Sequence, residues 1–285
     1  MSYVNMNPII VLGAPRSGTT FLGDVLCANP DVYYAIEPTP VWRYGNERKS
    51  DFLRPEHLSP KIRKYINKSF SGYLKSNGKA RLLEKTPQNC LRPEFVDSAL
   101  DGCRFVHIIR NGYESALSIE KHWETNTSGL RGVRVRQRFQ ELSPIQIPRY
   151  GFEFFKRVLG GYMGVNLGVS WGPKIPGARE IAREFGPLYL SALQWRFCVE
   201  NACQYGRKLG PDRYLEVKLE EMTEGTIDTI ADFLDLGAGT GAVINAYNSQ
   251  FKESNVSYRK AQASSKKTEA LRQIIEPTMQ WLGYE

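Results

Sequence analysis

The stretch Pro8-Ile9-Ile10-Val11-Leu12-Gly13-Ala14-Pro15-Arg16-Ser17-Gly18-Thr19-Thr20-Phe21 decides the fold. Ile9 to Leu12 is a run of apolar residues without alternation, the pattern of a strand buried on both faces. Residues 14–18 read as a turn, and residues 19–28 as a helix with Phe21, Leu22, Val25 and Leu26 on one side. Asn29-Pro30 ends that helix. A strand that feeds a helix through a Gly-bounded turn is the setting in which backbone N–H groups converge on an anion. The turn amides point inward, and the helix N-terminus adds about half a positive charge. Gly18 permits close backbone approach, Ser17, Thr19 and Thr20 bring hydroxyls, and Arg16 brings a fixed cation.

Working outward, four more strands are expected at residues 32–35, 81–84, 104–109 and 213–217. Helical patterns fall at 59–74, 114–123, 189–209, 220–234 and 270–282. Strands alternating with helices imply crossover connections and a parallel sheet. Residues 125–186 are rich in Gly, Pro and Arg and are expected to form an irregular cap within one domain spanning 1–285. The chain has 285 residues, 41% of them hydrophobic and 24% charged, which excludes a disordered chain, a fibrous repeat and a polytopic membrane protein. Its 38 Lys+Arg against 30 Asp+Glu give +8, a balance that suits an anionic ligand, nucleic acid or an acidic membrane surface alike.

The five cysteines are an odd set with no CxxC, so reduced thiols are expected rather than a disulfide framework or a zinc site. No leader-like N-terminus and no window of about 20 apolar residues is present, and the expectation is a soluble cytoplasmic protein with no membrane span.

The loop has the G-x4-G spacing of a Walker loop, but Thr19 stands where a nucleoside triphosphatase has its lysine, which argues against ATP or GTP hydrolysis. The alternative reading of the loop alone is an ordinary capped β–α turn. Residues 15–22 resemble the 5′-phosphosulfate loop of sulfotransferases that use 3′-phosphoadenosine 5′-phosphosulfate (PAPS), in the branch with Arg before Ser-Gly-Thr-Thr. That branch includes tyrosylprotein-type and bacterial carbohydrate-type enzymes. Arg110-Asn111-Gly112, with Ser118 eight residues after the Arg, resembles the 3′-phosphate motif of the same family, with Asn111 replacing its usual Asp. Glu84-Lys85-Thr86-Pro87, the 214–235 segment and Leu282-Gly283-Tyr284 resemble further family elements, with Leu219 where a Tyr is usual.

The resemblance implies an α/β three-layer sandwich of the P-loop, nucleotide-kinase-like type, with a central parallel sheet of about five strands. It implies PAPS as donor substrate, with no metal required. Donor binding falls to Arg16, Ser17, Gly18, Thr19, Thr20, Arg110 and Ser118. Arg259 and Lys260 resemble a basic loop closing over the 3′-phosphate, or are a solvated charge run. Glu37, just past the second strand, occupies the place of the branch's catalytic base, and Arg16 and Lys85 flank the transferred group. Lys85 could instead pair with Glu84 or a neighbouring strand residue. His57, His107 and His122 are less suitably placed as bases, and His107 reads as a satisfied core residue or one that supports the site from behind it.

The acceptor is expected to be a hydroxyl on a carbohydrate or other small molecule, with peptide tyrosine as the alternative and a P-loop kinase as a more distant one. Residues 131–157 hold seven basic and two acidic residues among aromatics, suited to an acidic carbohydrate or to a solvated helix face. No nucleic-acid motif is recognisable. The sequence names neither the acceptor nor the oligomeric state.

Overall fold

The computed structural model describes residues 6–125, 172–251 and 269–284. Five parallel strands, β1 (Ile9–Leu12), β2 (Val32–Ile36), β3 (Arg81–Lys85), β4 (Arg104–Ile109) and β5 (Tyr214–Lys218), form one sheet in the order β2-β3-β1-β4-β5. Every residue of β1 is buried, as its unbroken apolar run requires of a central strand. Ile10 and Leu12 enter the core on one face, and Ile9 and Val11 enter the core on the other.

The first face is covered by α3 (Pro60–Asn77), α4 (Pro93–Leu100), α5 (Gly112–Thr125), α6 (Ala178–Gly206) and α9 (Arg272–Trp281). The short helix α2 (Thr39–Arg43) packs on that side through Trp42. The second face is covered by α1 (Thr19–Leu26), α7 (Glu224–Phe233) and α8 (Thr240–Gln250). The result is the three-layer α/β sandwich with a five-stranded parallel sheet that the sequence led us to expect.

Two expectations shift. Residues 178–186, placed in the irregular stretch, belong to α6, which breaks only at Gly186. The helix expected from residue 220 starts at Glu224. Leu219–Glu221 forms a 3-10 turn instead, and Thr223 caps α7 by accepting from the Thr226 amide. The five cysteines are free thiols, and among the described residues no helix is long and apolar enough to cross a membrane.

With all strands parallel, their carboxyl ends share one edge. That edge carries Gly13, Glu37, Lys85, Arg110 and Leu219, the position where open α/β sheets receive ligands.

Candidate active site

The phosphate-type loop leaves β1 at Gly13. A Cβ at that position would fall 2.5 Å from Thr19 Cγ2 and 2.8 Å from the Ile108 carbonyl, so only glycine fits. Gly18 stands at φ +91° as the N-cap of α1, and no side chain caps the helix. The first-turn amides of α1 therefore keep their capacity for an anion. Ser17 is fully buried and its hydroxyl donates to the Ala14 carbonyl at 2.7 Å, so the side chain braces the turn instead of pointing outward. The Gly13 amide donates to Cys90 Sγ at 3.0 Å, anchoring the loop from below.

Arg16 adopts φ +69°, a left-handed conformation that costs a non-glycine residue about 1–3 kcal/mol. Two bonds hold it there. Arg110 Nη1 donates to the Arg16 carbonyl at 3.0 Å, and Arg16 Nε donates to Ser118 Oγ at 3.2 Å. The two sequence motifs, 102 residues apart at Arg16 and Ser118, thus meet directly.

Glu37 and Lys85 come together on the neighbouring strands. Lys85 Nζ lies 2.8 Å from Glu37 Oε1 and donates to Thr20 Oγ1 at 3.1 Å. The Lys85 side chain is 3% exposed and that of Glu37 28%, so the carboxylate is the member of the pair that faces outward. Glu37 is also left-handed, at φ +52°, and its amide donates to the Lys85 carbonyl at 2.9 Å. Lys85 does not pair with Glu84. Successive strand residues point to opposite faces, and Glu84 lies on the far side, where Trp42, Thr86 and Asn89 donate to it.

Arg110 follows β4 and is 7% exposed. Its Nη2 lies 2.8 Å from Glu114 Oε2, a partner the sequence reading missed. The signal was present: Arg110, Glu114 and Ser118 recur every four residues, and Glu114 and Ser118 lie on one face of α5. Asn111 caps that helix by accepting from the amides of Tyr113 at 3.0 Å and Glu114 at 3.3 Å. The Asn111 amide in turn donates to Glu220 Oε1 at 2.8 Å, and Tyr284 donates to Glu220 Oε2 at 3.0 Å. Leu219, at the position where a Tyr is usual, packs its side chain against Gly18.

His57 sits in a short turn, and its Nδ1 accepts from the Arg54 amide. His107 is buried within β4, with Tyr214 Oη 2.7 Å from its Nδ1. Burial pushes its pKa down to about 4. His107, Cys203 and Glu216 place ligand-type atoms within 4.8 Å of one another. Tyr214 already engages His107 Nδ1 and Arg207 grips Glu216 with two bonds of 2.8 Å, while His107 Nε2 is buried with no hydrogen-bond partner among the described residues. The His122 side chain, Arg259, Lys260 and the 131–157 basic stretch lie outside the described residues.

An α/β sheet with an uncapped helix N-terminus and several cations on its carboxyl edge is an arrangement able to hold a phosphate-like group. The model of the sulfotransferase family matches residues 8–146, just under half of the chain. The nodulation protein NoeE of Sinorhizobium fredii is 26% identical over 129 residues, 40% of this chain and 31% of its own length. The matched stretch thus spans about a third of that curated relative.

Two solved structures share the fold. The sulfotransferase domain of the Synechococcus PCC 7002 olefin synthase has a TM-score of 0.54 at 17% identity, covering 100% of this chain and 98% of that one. Sulfotransferase STF9 from Mycobacterium avium has a TM-score of 0.55 at 15% identity, covering 99% and 78%.

Proposed function

We propose that this chain transfers a sulfuryl group from PAPS to an acceptor hydroxyl on a carbohydrate or other small molecule, with Glu37 as general base. The observation that carries the reading is the Glu37–Lys85 pair at 2.8 Å, set on the sheet edge beside the uncapped α1 N-terminus. In this reading the α1 amides and the Thr19 and Thr20 hydroxyls hold the 5′-phosphosulfate, and Arg110 with Ser118 holds the 3′-phosphate. Arg259 and Lys260, outside the described residues, complete the grip. Arg16 and Lys85 neutralise charge on the sulfuryl oxygens and on the leaving phosphate, which is where preorganised cations contribute most.

The acceptor oxygen attacks sulfur while the bond from sulfur to the bridging phosphate oxygen breaks. Adenosine 3′,5′-bisphosphate leaves, and the acceptor proton passes to Glu37. In this reading Lys85 has a double part: it holds the Glu37 carboxylate in place through the 2.8 Å pair, and it follows the developing negative charge. A base at hydrogen-bond distance contributes about 10²–10⁴-fold.

The test is transfer from ³⁵S-labelled PAPS to panels of sugars, small hydroxyl compounds and tyrosine peptides, without added metal. Label on a sugar or small hydroxyl compound, abolished by Glu37→Gln, is the expected result. Label on tyrosine peptides alone would move the acceptor class, and no label on any acceptor would reject the reading.

A further inference from the structure

Glu84 is completely buried, one residue before Lys85, and takes no part in the chemistry described above. Its carboxylate is nevertheless heavily engaged. Oε1 accepts from the indole Nε1 of Trp42 at 2.8 Å and from the Thr86 hydroxyl, and Oε2 accepts from Asn89 Nδ2 at 2.8 Å. Each donor leads to a different part of the site. Trp42 lies on α2, which starts two residues after Glu37, and it packs against Phe70 with ring centroids 5.3 Å apart. Asn89 precedes Cys90, whose sulfur receives the Gly13 amide of the phosphate-type loop. Thr86 follows Lys85 directly.

The network runs on through Asn89 Oδ1, which accepts from Arg92 Nε at 2.8 Å. Arg92 lies 3.8 Å from Asp51, and Asp51 pairs with Arg43 of α2 at 2.7 Å. The segment after Glu37 is thus tied to the buried side of β3 at two points. Both tethers reach Glu84, one directly and one through Asn89 and Arg92.

We infer that Glu84 is a positioning residue: through Trp42 and Asn89 it sets Glu37 against Lys85 and the phosphate-type loop. The inference rests on the proposed role of Glu37 for its catalytic consequence, but its structural content stands apart from it. Glu37 needs such a fixture. Its backbone is left-handed at φ +52°, and among the described residues β2 is an edge strand, with β3 on one side only. The α2 segment therefore supplies what a second neighbouring strand would otherwise provide. Above pH 7, where the carboxyl is ionised and both oxygens accept, Glu84→Gln cannot reproduce the arrangement. Its amide N–H would face either the Asn89 donor or the Trp42 and Thr86 donors, and Asn89 cannot turn over without losing the Arg92 bond.

The test pairs Glu84→Gln, which keeps the side-chain shape and replaces one acceptor oxygen by an N–H donor, with Trp42→Phe, which deletes the indole donor together with part of the ring volume at a fully buried position. Two readouts are taken on the full chain. The first is amide hydrogen exchange over residues 36–44, where the Glu37 amide bonds Lys85 and the Val41 and Trp42 amides bond Pro38. The second is the split of kcat and KM for PAPS. Misplacing a reacting group by about 1 Å can cost about 10²-fold in rate. Both variants should exchange faster over 36–44 with β1 and β4 unchanged, and should lose about 10–10²-fold in kcat with little change in KM.

Unchanged exchange over 36–44 in both variants would overturn the inference. So would local loosening with wild-type kcat, or a uniform rise in exchange with kcat and KM degraded together, which marks a merely structural residue. Local loosening in both variants of a protein whose wild type turns over no PAPS would instead reject the sulfuryl-transfer reading and leave the positioning by Glu84 supported.

Discussion

Acid stability should reveal two buried groups that pull in opposite directions. His107 is neutral in the fold because burial lowers its pKa from 6.5 to about 4. The unfolded chain therefore binds the extra proton first as pH falls. The stability contributed by neutral His107 is complete above pH 6.5 and is lost as pH falls through about 4. The gap corresponds to about 3 kcal/mol, with a slope of up to about 1.4 kcal/mol per pH unit. Glu84 acts the other way. Burial raises its carboxyl from 4.5 to about 7, outweighing the bonds from Thr86, Trp42 and Asn89 and the charge of Arg92. Its contribution is complete below pH 4.5 and is lost as pH rises through about 7.

Between pH 4.5 and 6.5 the two slopes nearly cancel in the wild type. His107→Asn removes one titration, so its unfolding free energy should fall with rising pH across this window. Glu84→Gln removes the other, so its unfolding free energy should rise. Urea melts at half-unit pH intervals read both slopes. Parallel pH profiles for the two variants would refute the reasoning, whatever their absolute stabilities.

Three further outcomes are expected. Glu37→Gln should lower kcat by about 10²–10⁴-fold while leaving bisphosphate affinity within a small factor, as read by single-turnover kinetics and calorimetry. Arg110→Ala should weaken adenosine 3′,5′-bisphosphate binding by about 1.5–3 kcal/mol in calorimetry. It should also destabilise the fold, because Glu114 is left buried without its 2.8 Å partner. Gly23→Ala places a methyl group 2.1 Å from the Tyr34 hydroxyl in a packed layer, and thermal melts should show a loss of about 1–3 kcal/mol.

The strands were readable because each carries apolar or β-branched residues between turn signals, and their parallel direction followed from the intervening helices. Helix α4 escaped notice because it is short and begins at Pro93 with no side-chain cap. Helix α8 escaped because Gly, Asn, Ser and β-branched residues give it little intrinsic helical signal.

In the site, Arg16, Glu37, Lys85 and Arg110 were legible as motif positions, but their partners were not. The Glu37–Lys85 contact depends on the parallel register that sets Ile36 beside Lys85, a long-range property with no local trace. The strand pleat was enough to exclude Glu84 as the partner of Lys85. Glu114 could have been found from its four-residue spacing. The roles of Leu219 against Gly18 and of Glu220 between Asn111 and Tyr284 emerge only when the ends of β4 and β5 are brought side by side.

The most direct test of sulfuryl transfer from PAPS is a calorimetric comparison of adenosine 3′,5′-bisphosphate with ATP, both without magnesium. The account predicts tight bisphosphate binding, weakened by Arg110→Ala, and weak ATP binding. A preference for ATP, or bisphosphate affinity indifferent to Arg110, would contradict it.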